Sequence, residues 1–300
     1  MTDAKLDMTI AEVTAPSPMT VLVQRALNHR GLLVGGSILL LIILAAVFAP
    51  LLSPYDPYEQ NLLARTVPPI WSAQGTWEHV LGTDHVGRDY LSRLLYGAQI
   101  SLLIGVAAAV ISGVIGLTLG VIAGFFGGRV DTLVMFLITS RLATPVILVA
   151  LAVVALIGSS LQTVIFVLGL LLWDRYALVI RSATMQIRST DYVLAARAQG
   201  ASNFRIIVSE ILPNLTNSII VVGTLEMAHA IILEAALSFL GLGVQPPLPS
   251  WGLMVSEGKE FILFEPWLIT IPGVFLFLLV LSINLFGDGI RDVASPDGRN

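Results

Sequence analysis

Six runs of apolar residues mark the chain, each close to the roughly 20 residues that a helix needs to cross the hydrocarbon core of a bilayer. Leu32–Leu52 carries no charge, and neither do Ala98–Phe126 and Trp267–Phe286. Leu133–Ile157 is interrupted only by Arg141. Leu161–Trp173 is short, and Tyr176–Ile180 extends it past Asp174 and Arg175. Leu215–Leu242 contains Glu226, His229 and Glu234. An unpaired backbone group is costly in lipid and no closed barrel is patterned here, so these runs predict helices. The expected fold is an all-α membrane protein with six transmembrane helices. Its organisation is a tail and lead-in helix over 1–31, a first anchor over 32–52 and an external segment with an interfacial helix over 53–97. A five-helix core over 98–287 and a C-terminal tail over 288–300 follow.

Composition agrees with this pattern. The chain is 56% hydrophobic and 12% charged, against about 25% charged in a typical soluble domain. A net charge of −4 gives no reason to expect a nucleic-acid partner. With no cysteine, disulfides, thiolate metal sites and cysteine nucleophiles are excluded. Val47-Phe48-Ala49 offers a small-residue cleavage site, but the apolar run before it is long and about thirty residues precede it, so the first span is expected to be a retained anchor.

Lys and Arg set the orientation. With the N-terminus in the cytoplasm, Lys5, Arg25, Arg30, Arg129, Arg181, Arg188, Arg197, Arg205, Arg291 and Arg299 lie inside. Arg65, Arg88, Arg93 and Lys259 then lie outside. The bias places both termini in the cytoplasm.

The longest internal connection, 181–214, has its own pattern. Asp191–Gln199 (DYVLAARAQ) is rich in helix formers, with an acid in the first turn, and Gly200 is placed to end that helix. A second helical stretch from Ser202 to Leu212 precedes Pro213, which marks the start of the fifth span. Two short helices around a glycine make either a defined protrusion at the membrane surface or an amphipathic segment resting on headgroups. Outside, Asp84–Arg88 and Asp89–Arg93 have the i,i+4 spacing of helical ion pairs, and Leu91, Leu94 and Leu95 form the stripe of a helix lying in the interface. That segment reads as a brace or as part of a surface for an external partner. Pro246, Pro247 and Pro249 stiffen the loop Gly241–Gly252.

Four patches carry a resemblance to a known family. They are Leu81–Leu103 (LGTDHVGRDYLSRLLYGAQISLL), Tyr192–Asn214 (YVLAARAQGASNFRIIVSEILPN), Glu234–Met254 (EAALSFLGLGVQPPLPSWGLM) and Asn284–Asp292 (NLFGDGIRD). With them the chain resembles the inner-membrane permease subunits, C-type, of binding-protein-dependent ABC importers for dipeptides, oligopeptides and nickel. The resemblance implies the type I importer fold, as in methionine importers, and a non-enzymatic transport subunit in a bacterial inner membrane. It also implies a second homologous permease, two cytoplasmic ATP-binding subunits and an external solute-binding protein. ATP and Mg belong to the ATPase partners, and no cofactor is expected in this chain. Gly258-Lys259 is followed by Glu260 and lacks the phosphate-cradling pattern. The segment 191–213 becomes the coupling loop, with Ala195, Ala196, Gly200, Ala201, Leu212 and Pro213 as the ATPase-coupling residues. The sequence departs from the family pattern at Leu194, where an acid is usual, and at Glu210, where an apolar residue is usual. It departs again at Phe136 and Thr139, which replace an Arg and an Asp of the third span, and at Arg141. The implied cargo is a di- or oligopeptide, with nickel, opines or another small solute as the alternative within the family.

Intramembrane ionisable groups are expensive and tend to face a cavity or a partner. Glu226 and His229, at i,i+3, share a helix face, and Glu234 lies about 80° away at 3.6 residues per turn. These three are candidates for the translocation path, or for a structural hydrogen-bonded set, and Arg141 is a candidate partner for one of the acids. One histidine with two carboxylates is too few for a metal site, and no metal is expected. Gly116, Gly120 and Gly124 present a small-residue face for close helix packing, within the chain or against a partner permease. A proton-coupled secondary transporter using Glu226 and His229 is the competing class, but no internal repeat accompanies it.

Overall fold

The computed structural model describes residues 18–294. The expected tail over residues 1–17, with Lys5, and the last six residues, with Arg299, lie outside the described residues. Within them the chain is helical apart from its connections. It begins with α1 (Pro18–Asn28), α2 (Arg30–Val47) and α3 (Ala49–Leu52), then α4 (Tyr90–Phe126), α5 (Gly128–Leu142) and α6 (Val146–Ile157). It continues through α7 (Leu161–Leu171), α8 (Trp173–Arg188), α9 (Asp191–Ala198) and α10 (Asn203–Ile206) to α11 (Thr216–Phe239), α12 (Trp251–Gly258) and α13 (Trp267–Ala294). Five stretches are long and apolar enough to cross a membrane: α2, α4, α7 with α8, the run from Asn203 to Phe239, and α13. The α5–α6 pair is long and apolar enough for a sixth if counted as one span, but it is bent by 81°.

Helix α4 organises the bundle, packing against α2, α5, α7, α8 and α11, while α13 lies along α2 and α11. Helices α4 and α8 approach one another closely. A methyl group built on Gly116 would stand 2.3 Å from the Tyr176 Cβ and 2.6 Å from the Trp173 carbonyl. On Gly120 it would meet the Ala177 carbonyl at 2.8 Å, and on Gly124 the Thr184 Cβ at 2.6 Å. The glycine face expected from the sequence therefore receives a helix of the same chain. Without side chains between them the two backbones interlock, which supplies the dispersion contacts that hold helices together in lipid.

Three expectations are corrected. The third span is not one helix. It breaks at Ala143-Thr144-Pro145, because Pro145 has no N–H and disfavours helical geometry in the residue before it. The interfacial helix over 84–95 does not exist as a separate element either. Asp84–Arg88 lies in a tight turn closed by a bridge between Thr83 and Asp89, where Gly87 has φ +80° and a side chain would collide with the Asn61 carbonyl. Asp89 then caps α4 by accepting from the Ser92 N–H at 2.8 Å, so Leu91, Leu94 and Leu95 begin the membrane helix itself. Last, Pro213 does not start a new helix. The run from Asn203 to Phe239 continues through a π-helical turn at Ile207–Ile211 and a 3-10 turn at Leu212–Leu215. Widening and then tightening the turn lets the chain pass a residue that cannot donate.

The α4–α8 contact gives a direct test. Gly116→Ala places a methyl into backbone and is expected to cost about 1–3 kcal/mol or more by overpacking. Gly273→Ala meets nothing within 4 Å and is expected to be neutral or stabilising by up to about 1 kcal/mol through helix propensity. The thermal midpoint in detergent should fall for Gly116→Ala and hold or rise for Gly273→Ala; equal midpoints would remove the glycine face from the packing account.

Candidate functional site

The segment after α8 projects as two short arms. Gly200 stands at φ +83° and closes α9 with a Schellman pattern: the Gly200 N–H reaches the Arg197 carbonyl at 3.0 Å and the Ala201 N–H reaches the Ala196 carbonyl at 3.1 Å. Val193 and Ile206, one from each arm, are fully buried with Val121, Phe125, Ile180, Ile211 and Leu215, and Arg197 lies over the Phe125 ring at 5.6 Å. The protrusion is thus fixed to the bundle rather than hanging from it.

The coupling candidates divide across this unit. Ala195, Gly200 and Pro213 are exposed, whereas Ala196, Ala201 and Leu212 are half-buried against the chain's own core. Small side chains at Ala196 and Ala201 let the arms lie close to the bundle. Sequence reasoning passed over the exposed apolar surface itself, which is Tyr192, Leu194 and Phe204, the last 78% exposed. Leu194, a departure from the family pattern, therefore adds to an apolar face, while Glu210 is half-buried.

A second cluster lies where α8 and α11 face each other. Glu226 is buried, hydrogen-bonded to His229 Nδ1 at 3.3 Å and ion-paired with the Arg175 guanidinium at 3.6 Å. Glu234 is separate. Its Oε1 accepts from Ser238 at 2.7 Å and from Ser250 at 2.9 Å, so it anchors the proline-rich loop that leads into α12. Among the described residues Arg141 pairs with no acid. Its guanidinium donates to the carbonyls of Thr144 at 3.2 Å and Leu171 at 2.5 Å. The Leu171 carbonyl and the Arg175 N–H would bond in an unbroken helix; here Arg141 takes the carbonyl and Asp174 takes the N–H at 3.0 Å. Arg141, Asp174 and Arg175 thus form one constellation around the α7–α8 junction. The sequence showed each as an interruption of a span and gave no sign that they meet.

On the opposite side of the bundle from the coupling arms, the turn before α4 is clamped to α12. Asp84 accepts from Arg88 Nε at 2.6 Å and from Arg93, and Glu257 accepts from Arg88 at 3.3 Å and Arg93 at 2.8 Å. Arg93 is fully buried. Trp251 of α12 donates through its ring to the Leu94 carbonyl at 2.8 Å. Asp84, His85 and Glu257 come close enough to suggest a cation site, but the two guanidiniums already neutralise both carboxylates. Burial alone would raise the Asp84 carboxyl; Arg93, Arg88 and the N–H groups of Arg88 and Val86 outweigh it and hold the pKa below its ordinary 3.8.

The bundle and its projecting loop define a multi-pass helical membrane protein with a surface arm packed firmly on its core. The chain shares its fold with a solved chain of the MetNI methionine ABC transporter in inward-facing conformations, with a TM-score of 0.56 and 20% identity, covering 68% of this chain and 97% of that one. A family model described as "Binding-protein-dependent transport system inner membrane component" matches residues 116–299, and one for the "N-terminal TM domain of oligopeptide transport permease C" matches residues 17–69. The chain belongs to this family of binding-protein-dependent ABC transporter permeases. It is 42% identical to the di/tripeptide transport system permease protein DppC of Pseudomonas aeruginosa, covering 95% of this chain and 94% of the relative. It is 41% identical to the dipeptide transport system permease protein DppC of Escherichia coli K12, covering 95% and 96%. As a permease component it is not itself catalytic, and a transporter of this type works with ATPase and binding-protein partners.

Acid should weaken the external clamp with a definite sign. A carboxyl whose pKa is lowered in the folded state adds stability above its unfolded pKa and loses it as pH falls through the folded value. Detergent-solubilised protein is therefore expected to lose stability on acidification below about pH 4. Asp84→Asn should cost about 3–5 kcal/mol at neutral pH by leaving the buried Arg93 short of its counter-charge, and should shrink the acid-induced loss. A variant with the parent's full acid sensitivity would assign that loss to other groups.

Proposed function

We propose that the chain is one of two homologous permease halves of an ATP-driven importer, and that its cargo is a di- or tripeptide or a longer oligopeptide. Two cytoplasmic ATP-binding subunits supply the ATP and Mg chemistry, and an external solute-binding protein delivers the cargo. The peptide cargo is supported by the names of the relatives and by the oligopeptide-type N-terminal region. The assembly is supported above all by the α9–α10 unit, a rigid protrusion with Tyr192, Leu194 and Phe204 exposed. An apolar face on a rigid arm suits docking into a groove of a partner that pushes, since a flexible loop would absorb the displacement.

The orientation follows the positive-inside bias, with both termini cytoplasmic in a bacterial inner membrane. It is supported by the way the two segments read as external, 53–97 and 243–266, meet through Arg88, Arg93 and Glu257. At the internal side, Arg188 donates to the Phe125 carbonyl at the end of the second span at 3.0 Å, and His29 lies 3.2 Å from Asp292. Glu226 and His229, facing α8 near the middle of their helix, are the best candidates for the path lining. Glu234 fits a structural anchor better.

The test is a mild-detergent pull-down of tagged protein from its native host, with mass spectrometry of the co-purifying chains. The parent should bring a second permease and two ATPases. Leu194→Asp with Phe204→Asp should lose the ATPases while keeping the permease partner and membrane insertion. A chain that purifies alone and moves solute in liposomes without ATP would sink the importer reading.

A further inference from the structure

The helical run Leu161–Arg188 measures about 42 Å at 1.5 Å per residue, and Arg175, roughly 21 Å from its external end, falls inside a hydrocarbon layer about 30 Å thick. Its side chain is nevertheless 58% exposed. An exposed guanidinium at that depth is too costly to face acyl chains and must face water or another polar surface. The chain also holds it there deliberately. Arg141 and Asp174 satisfy the backbone groups freed at the α7–α8 junction. The Tyr176 hydroxyl, one residue on, bonds the Ala109 carbonyl at 3.1 Å. Arg175 is fixed at its backbone and turned outward by its neighbours.

Its charge is only partly balanced. Glu226 lies at 3.6 Å, within ion-pairing range but longer than a hydrogen bond, and Glu226 shares its other oxygen with His229. Among the described residues this is the one ion pair of the Arg175 guanidinium, and most of its donor fork points away from the chain. A guanidinium fork matches a carboxylate in two parallel hydrogen bonds.

We propose that Arg175 lines the aqueous path at mid-membrane and receives the free carboxylate of the cargo, with Glu226 and His229 holding the guanidinium at that station. The carboxylate being a peptide's rests on the proposed function; the path position and the anion preference do not.

The absence of cysteine gives a ready test in the complete importer reconstituted in proteoliposomes. Val179, one turn along the same face of α8 and 40% exposed, is replaced by cysteine, with Leu41→Cys on the outer face of α2 as a lipid-facing control. Modification rates by an anionic and a cationic hydrophilic thiosulfonate are compared with and without nucleotide. The expected result is labelling at Val179→Cys but not at Leu41→Cys, with the anionic reagent favoured. Adding Arg175→Gln should lower the anionic-to-cationic ratio on the order of tenfold, and Arg175→Lys should restore much of it. No labelling in any nucleotide state, or a ratio indifferent to Arg175, overturns the proposal. Cross-linking of Val179→Cys to the second permease without labelling does so too, by making this a subunit contact.

The carboxylate assignment is read from uptake of a dipeptide and its C-terminal amide, each normalised to binding-protein affinity. Arg175→Gln should slow the free acid several-fold and spare the amide; equal slowing of both removes the carboxylate assignment. If the parent takes up neither peptide while the labelling pattern holds, the peptide reading fails and the anion station stands for another anionic cargo.

Discussion

Inside a bilayer a backbone N–H or carbonyl has no water to fall back on, and the rest of this structure depends on how the chain meets that constraint. Helix α4 meets it by running unbroken for 37 residues. Where a helix must break or pass a proline, something specific takes over. At Thr144-Pro145 and at Leu171 the Arg141 fork supplies the missing donors. At Arg175 the Asp174 carboxylate supplies the missing acceptor. At Pro213 the helix changes pitch instead. The polar residues that interrupt the apolar spans are therefore in large part the means by which bent helices survive in lipid.

This explains which features were legible in the sequence. Five of the spans and the close packing at the glycine face follow from length, hydropathy and spacing, all local properties. The helix end at Gly200 is equally local, since only a left-handed residue completes that turn. What was not legible is pairing across distance. Arg88 and Arg93 share Glu257 of a helix more than 160 positions away, and their i,i+4 spacing to acids pointed to a helix that the turn at Gly87 forbids. Arg141 was visible as an odd charge, but its partners are carbonyls, which leave no signature in a sequence. Ala196 lies in the 191–213 segment, and that it faces the chain's own core is set by Val193 and Ile206 on the buried side.

The charged groups also sort the molecule by stiffness. The external turn is locked by two acids and two guanidiniums that are buried or nearly so, and by Trp251 inserted against α4. Separating such a set would strand charges in an apolar setting, so this end is expected to move as one body with α4 and α12. The cluster around Glu226 is different. Its ion pair is long, one partner is largely exposed, and no tryptophan or proline pins it.

That difference matters because of where the coupling arms attach. Helix α8 leads into α9 and carries Arg175; the run from Asn203 to Phe239 leaves the second arm and carries Glu226. The two partners of the loose mid-membrane ion pair thus sit on the two helices that frame the docking unit. Under the importer reading, a displacement at α9 is delivered along both helices. The bond placed to respond is the 3.6 Å contact between Arg175 and Glu226, since the Gly116–Gly124 face binds α8 to α4 and the clamp fixes α4 at its far end. A change of less than a hydrogen-bond length there alters how much of the guanidinium is free for an anion. Coupling and cargo recognition would then share one pair of helices, with Arg175 at the point where they meet.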